Sequence, residues 1–474
     1  MRISNMGKAI VDIDRDKLIN RLVYIYLFSI IFDGIFRKWL LVGLSTPIMM
    51  IKQVMAVLIC FLGIQYFNRM TRWELSFFVI GVFVFITSLL FGHHNIIVAI
   101  YGCLPYWFGL PLCFIIGKVL NYDDLLKIGW IIVITSIINS LLLIVQFNLP
   151  ISHILNYQGG EIDQELLGYS ISSLQGGFRP SGLFVHNSQN ALFQMLALVY
   201  ILYLLFVRAV QPRRNLLIIA LVLDLVSLPF SVSRTNIFYH VGILAFFFIF
   251  CLRMEQRTTI LKSVPLVVIG LFLLSHIPSV ESAINTIQAR FIDANEDQFV
   301  GKSTFQGTLL DLYNRNIVYN VEAVIHPKTF DGESIPFWGY GQGMSTQVGG
   351  RILGIKENAG FALAEWDGLR IMCESGYIFG WAIIFIRMAY AFRYLFSIKR
   401  YRRKHYFLSL IFLPAFLVSF YLLNNWGNLF LANLSFLIGG LFLASTKIRI
   451  YNTNPFEQQP LQTEKKEKGK PNDN

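Results

Sequence analysis

Charge is scarce in this chain. Asp, Glu, Lys and Arg make up only 14% of its 474 residues, and apolar residues make up 55%. A soluble protein of this size carries roughly a quarter charged residues. An ordinary water-soluble globule is therefore excluded, and the composition points to an all-α polytopic protein whose helices are sheltered by lipid. Cysteine is sparse too. Cys60, Cys103, Cys113, Cys251 and Cys373 lie in or at the ends of apolar stretches, at no metal-ligand spacing. They read as packing residues, and no disulfide is expected. The histidines form no HxxxH or HExxH pattern, so no metal site is expected. No internal repeat is visible, which weighs against a transporter built from two matched halves. The first apolar stretch has no small-residue cleavage site, so no cleavable signal peptide is expected.

Long apolar runs dominate what is present. A spanning helix needs ~20 mostly apolar residues. By this criterion helices fall near 22–42, 46–66, 74–92, 95–118, 125–147, 187–207, 216–231, 235–252, 263–278, 369–396, 406–423 and 429–446. That makes about twelve transmembrane helices. Pro105 and Pro111 predict a kink or break in the fourth. Lys and Arg concentrate in alternate loops, which puts both termini in the cytoplasm. The net charge of +12 is then mostly this orienting signal, and no nucleic-acid partner is implied. Residues 1–21 form a cytoplasmic segment. Residues 22–278 hold helices one to nine with an outer loop at 148–186, and 279–368 form a large outer (periplasmic or extracellular) loop between helices nine and ten. Residues 369–446 hold the last three helices. The polar, Lys/Glu/Gln/Pro-rich tail, 447–474, reads as disordered.

The large loop is the most informative feature. A simple channel or carrier needs no such stretch, whereas an enzyme at the outer face of a membrane often has one. It contains PFWGYGQGMSTQVGG at 336–350, and Glu365, Asp367, Arg370 and Glu374 follow where the chain re-enters the membrane. The glycines of WGYGQG do not match GxxxxGK[ST], so they read as a turn-rich wall of the outer domain.

Several charges break the orientation rule. Arg37, Lys38 and Lys52 fall in the outer half of the first two spans, and Asp33 shares a helix face with Arg37. Arg179, Arg234 and Arg370 lie at the outer ends of later spans. Intramembrane cations usually face a cavity, and converging arginines suit a phosphate or diphosphate, whose oxygens accept paired N–H bonds. The plainer alternatives stay open. Arg37, Lys38 and Lys52 can snorkel to headgroups, and Arg179 and Arg234 can be structural loop caps. Arg387, near the inner end of span ten, reads as a snorkelling residue. Asp224 sits mid-span, either functional or bonded to a neighbouring helix. His186 is a candidate base, or a plain interfacial histidine.

These segments resemble the bacterial O-antigen ligase and O-antigen polymerase superfamily. The resemblance is carried by FDGIFRKWLLVGLSTP (32–47), FRPSGLFVHNSQN (178–190), SVSRTN (231–236), GYGQG (339–343) and AEWDGLRIMCESGYIFGW (364–381). Ligases of the group carry a His-Asn pair near the end of the large loop, where this chain reads Ala-Glu-Trp-Asp. The resemblance implies a glycosyltransferase of the bacterial inner membrane acting at its outer face on a polyprenyl-diphosphate-linked glycan. It would polymerise repeat units of an O-antigen, capsule or exopolysaccharide, or transfer a finished glycan to a lipid or protein acceptor. A chain-length regulator is a further expected partner beside membrane lipids. On this reading Arg179, Arg234 and Arg370, supported by Arg37, stabilise the departing diphosphate. Lys38, Lys52 and His186 join the substrate contacts, and Glu365 takes the acceptor proton, with Asp367 and Glu374 competing. Trp338, Tyr340 and Trp366 stack on sugars or pack at the interface. No metal and no cofactor is expected, and direct displacement inverts the anomeric centre. A transporter of lipid-linked or anionic solute, or a membrane scaffold, are the competing classes.

Overall fold

The structure is a computed structural model, and it describes residues 2–157, 179–207, 213–252, 257–258, 262, 275–296, 318–329, 332–354, 367–403, 406–422 and 429–448. These residues are overwhelmingly helical and include no β-strand. Helix α1 (Arg2–Ile31) meets α2 (Asp33–Leu40) at a 49° bend. There follow α3 (Ser45–Leu62), α4 (Arg72–Leu90), α5 (Ile96–Val119), α6 (Tyr122–Asn148), α7 (Asn187–Phe206), α8 (Arg214–Phe230) and α9 (Arg234–Cys251). Then come α10 (Pro278–Glu296), α11 (Tyr319–Ile325), α12 (Gln347–Ile352), α13 (Asp367–Leu395), α14 (Ile398–Arg403), α15 (Phe407–Leu417) and α16 (Leu429–Ser445).

By length and composition, five helices can cross a membrane: α5, α6, α7, α9, and α13 running on into α14. The bent pair α1–α2 makes a sixth, and α3, α4, α15 and α16 hold shorter apolar stretches. The described residues thus carry fewer full-length crossings than the twelve or so expected from apolar runs. Each expected span except 263–278 overlaps a helix; that one lies almost wholly outside the described residues, as do 158–178, 297–317 and 355–366 of the two outer loops and nearly all of the tail. The prolines of α5 do not break it. Pro105 opens a π-helical turn, Pro105–Gly109, whose wider spacing absorbs the missing N–H and lets the helix run on.

The core lies where α16 packs along the second half of α5, with α7 and α15 beside it. Glycine sets the closeness of this contact. A Cβ at Gly117 would lie 2.6 Å from the Leu443 Cβ, and one at Gly440 would lie 2.6 Å from Ile116. Without a hydrophobic drive between helices in lipid, such small residues let dispersion contacts accumulate. Helix α7 is enclosed on all sides, being buried from Gln189 to Leu202. It nonetheless carries Gln189, Asn190 and Gln194, so polar partners must come from its neighbours. The start of α6 is fixed by a capping box: Asn121 accepts from the Asp124 N–H at 2.9 Å, and Asp124 accepts in return from the Asn121 N–H. All five cysteines are buried free thiols.

Two glycine substitutions separate packing from helix propensity. Gly117→Val should lower stability in detergent by about 1–3 kcal/mol, because it overfills the α5–α16 contact. Gly242→Ala, on a face of α9 with nothing within 4 Å, should raise stability by up to about 1 kcal/mol. Thermal unfolding of both variants checks this; a silent Gly117→Val would show that the contact has slack.

Candidate functional site

Asp33 and Arg37 stand one turn apart at the start of α2, and the Arg37 guanidinium lies 3.4 Å from Asp33 Oδ2. Lys52 of α3 reaches the same oxygen at 2.7 Å, and Arg37 Nε donates to Ser45 Oγ at 2.9 Å. The expected Asp33–Arg37 pair is therefore present. Snorkelling is not: Arg37 is 1% exposed and Lys52 0%. Asp33 Oδ1 is buried and accepts no hydrogen bond.

Lys38 has a different role from the ligand contact expected of it. Its ammonium donates to Ser181 Oγ at 3.1 Å, to the Gly182 carbonyl at 2.8 Å and to the Phe184 carbonyl at 2.9 Å. An ammonium has three N–H donors, so these acceptors use it fully. Lys38 is a tether that holds the 181–184 segment on α2. Gly34 makes the approach possible, since a Cβ there would lie 1.9 Å from the Leu183 carbonyl oxygen.

The tethered segment leads into α7. His186 is its N-cap, with Nδ1 accepting from the Ser188 N–H at 3.2 Å. In the neutral ring that leaves the proton on Nε2, so exposed His186 offers a donor rather than a base. The next residue, Asn187, donates from Nδ2 to the Pro180 carbonyl at 2.9 Å and to the Ser231 carbonyl at 2.8 Å. This one amide brings the segment holding Arg179 against the turn holding Arg234. In that turn Val232 has φ of 47°, a left-handed conformation costly for a β-branched residue. Ser233 then caps α9 through the Asn236 N–H, and Arg234 is the first helical residue. Arg179 and Arg234 are both half-buried. Lys38 and Asn187 thus join three segments remote in sequence, those bearing Arg37, Arg179 and Arg234.

Arg370 belongs to a second group, on α13. Its guanidinium donates to Asp367 Oδ1 at 2.9 Å and to Glu374 Oε2 at 3.0 Å. Asp367 Oδ2 accepts from Arg387 at 2.9 Å, and Arg387 also donates to the Phe420 carbonyl at 3.2 Å. All four side chains are buried. Asp367, Arg370 and Glu374 share a face of the first half of α13. Arg387 lies twenty residues on, ~30 Å along a straight helix, so its contact with Asp367 requires the chain to fold back between them. The snorkelling expected of Arg387 is overturned, because its charge is used inside the bundle against Asp367. Asp367 and Glu374 are likewise committed to arginines, which disfavours either as a proton acceptor. Arg370 is in turn held by two carboxylates and reads as structural.

Helix α13 is broken at Gly376, with φ 71° and ψ −172°. The 336–346 segment docks onto the break. Tyr340 N–H donates to the Cys373 carbonyl at 2.8 Å, Gly341 N–H to the Glu374 carbonyl at 3.0 Å, and Tyr377 N–H to the Phe337 carbonyl at 3.0 Å. These bonds replace those that the break removes. The two backbones touch at glycines: a Cβ on Gly376 would lie 2.3 Å from the Phe337 carbonyl oxygen, and one on Gly339 would lie 2.5 Å from the Gly376 nitrogen. Ser345 donates to Glu374 Oε1 through both its N–H, at 3.0 Å, and its hydroxyl. On the other side, Gln342 N–H donates to Ser88 Oγ at 2.8 Å. His93 Nδ1 accepts from the Asn95 N–H, so its Nε2 donates to the Gln342 carbonyl at 2.9 Å. The GYGQG glycines therefore do not wall an outer domain. They thread between the end of α4, the start of α5 and the broken α13.

The aromatic residues expected to meet sugars divide. Trp338 stacks on Phe91 with centroids 5.2 Å apart and packs against Phe337 and Phe379. Tyr340 is half-buried, and burial raises its phenol above the usual value. Glu365 and Trp366 lie outside the described residues. Ser88, His93, Gln342, Ser345 and Gly376 were missed by sequence reasoning; only the clustered glycines hinted at a close backbone approach. His240, bonded to Asp224 at 3.0 Å, was missed as well. Among the described residues no group of three or more His, Cys, Asp or Glu is placed to hold a metal ion.

Architecture and site together describe an all-α membrane protein with a broken helix plugged by a glycine-rich segment and a half-buried cationic corner. Compared with known proteins, the chain matches no protein-family model and no curated sequence.

Removing one partner from the α13 ladder should be costly. Arg387→Met should destabilise by about 3–5 kcal/mol, since it strips a buried carboxylate of one counter-charge. Ser345→Ala, which leaves the backbone donor to Glu374, should cost about 1.5–3 kcal/mol or less. Unfolding in detergent measures both, and equal effects would mean that the ladder does not bear on stability.

Proposed function

We propose that the protein is a glycosyltransferase of the bacterial inner membrane, with both termini cytoplasmic. It would act at the outer face on a polyprenyl-diphosphate-linked oligosaccharide and polymerise repeat units of an envelope polysaccharide. The observation that carries this reading is the Asn187 clamp, which sets the half-buried Arg179 beside the Arg234 turn, next to the Arg37–Asp33–Lys52 group. The motif resemblance supplies the substrate class.

In the reaction the acceptor hydroxyl oxygen bonds to sugar C1 while the bond from C1 to the diphosphate oxygen breaks. The diphosphate leaves on its lipid, and the hydroxyl proton passes to a base. Direct attack inverts C1. Arg179 and Arg234 meet the charge growing on the diphosphate, where fixed cations away from water act strongly. His186 Nε2–H adds a donor beside them. Arg370 drops from this set to a positioning role, because it spans Asp367 and Glu374. With those two carboxylates held by arginines, Glu365 remains the assigned base.

A second reading, transport of a lipid-linked or anionic solute, is favoured by one observation: the buried Asp224–His240 pair within the helix bundle.

Purified protein in lipid vesicles, given polyprenyl-diphosphate oligosaccharide without divalent metal, should build a ladder of added repeats on gels. Arg234→Ala and Arg179→Ala should each cut that product by about 100-fold or more without loss of folded protein. Transfer to a supplied lipid or protein acceptor without a ladder would mean ligase chemistry. Substrate binding with no product, together with movement of the lipid across the bilayer, would replace this reading with transport.

A further inference from the structure

Asp224 of α8 and His240 of α9 are buried, 0% and 1% exposed, and neither has a place in the reading above. His240 Nε2 lies 3.0 Å from Asp224 Oδ2, and His240 Nδ1 lies 2.8 Å from the Asn236 carbonyl oxygen one turn earlier. A carbonyl oxygen only accepts, so Nδ1 carries a proton. In a neutral imidazole the other nitrogen then holds a lone pair. A lone pair cannot face a carboxylate at hydrogen-bond distance without a proton between them. That proton sits either on Nε2, giving imidazolium and carboxylate, or on Oδ2, giving imidazole and carboxylic acid. Both forms hold one proton more than a separated carboxylate and neutral imidazole, and both have zero net charge.

From this geometry we infer that Asp224 and His240 form a proton-binding site inside the helix bundle, with one proton held between Nε2 and Oδ2. Losing it would leave a buried anion opposite a lone pair. The other oxygen, Asp224 Oδ1, is also buried and has no hydrogen-bond partner among the described residues, and burial of an uncompensated charge is costly. Among the described side chains of the elements packed against α8 and α9, the titratable ones are Tyr122, Asp123, Asp124 and Lys127 at the far end of α6, Tyr200 and Tyr203 on α7, and exposed Glu281 on α10; the side chains of Arg290, Asp293 and Glu296 on α10 lie outside the description. Arg214, Arg234 and Tyr239 lie on α8 and α9 themselves. Among the described residues, His240 is the one group within ion-pair distance of Asp224.

The surrounding side chains fix the pair. Asn236 Nδ2 donates to Gln194 Oε1 at 2.6 Å, and Gln194 Nε2 donates to Ser227 Oγ at 2.8 Å, one turn beyond Asp224. Asn190 Nδ2 also donates to Gln194 Oε1, and Asn139 Nδ2 donates to Asn190 Oδ1 at 2.7 Å. The chain ends at Asn139 Oδ1, which accepts from the Leu183 N–H at 2.9 Å. This network locks α6, α7, α8 and α9 into one register.

The test uses the full chain in lipid nanodiscs. Nitrogen-15 histidine spectra and the infrared carboxyl region are recorded from pH 6 to pH 8, an interval in which a free imidazole loses most of its charge. Subtraction of His240→Gln or of Asp224→Asn assigns the signals, and either variant alone suffices. The expected result is a shared proton, seen as imidazolium at His240 or as a carboxylic acid at Asp224, unchanged across the interval. In Asp224→Asn, His240 should become a neutral ring. An ionised Asp224 beside an ordinary His240 that titrates near its free value would overturn the proposal. So would an imidazolium that survives in Asp224→Asn.

Discussion

Hydrocarbon offers no hydrogen bonds, so each buried polar group has to be answered from within the protein. That constraint explains why the break in α13 and the 336–346 segment occur together. Interrupting a helix at Gly376 frees N–H and carbonyl groups at Cys373, Glu374 and Tyr377. Residues 337–341 supply the complementary set, and Gly339 and Gly376 let the two backbones approach closely enough to bond. Neither element is viable without the other. Glu374 reinforces the joint from the side-chain level, since it accepts from both donors of Ser345 while its second oxygen holds Arg370.

The same constraint sorts the cations. Lys38 is consumed by one hydroxyl and two carbonyls, Arg370 by two carboxylates, and Arg387 by a carboxylate and a carbonyl. These charges are structural, because each is committed to acceptors within the bundle. Arg179 and Arg234 are half-buried, where a charge meets a ligand with less desolvation to recover.

Apolar run length predicted the helices well because hydropathy is a property of local sequence. The Asp33–Arg37 pair was legible for the same reason, as it is one helical turn. Lys52 joining Asp33, the grip of Lys38 on residues 181–184 and the Asn187 clamp were not, since each depends on which distant segment lies opposite. Arg387 was misread because its place near the end of an apolar run suggested an escape to headgroups, and the sequence carries no sign that the chain folds back at Gly376 to bring Asp367 beside it. His240 was overlooked inside an apolar run, where only its partner on the preceding helix reveals it. The glycines of GYGQG announced a close approach without saying to what.

The threading of 336–346 also imposes an order on synthesis. Gln342 bonds to Ser88 across 254 residues. At ordinary translation rates the slot formed by α4 and α5 must wait roughly 10–50 s for its occupant to leave the ribosome. During that interval the Ser88 oxygen and His93 Nε2 lack the partners that Gln342 later supplies. The slot therefore stays open as an assembly intermediate until the last third of the chain arrives. A chain truncated before residue 336 would end its life in that open form.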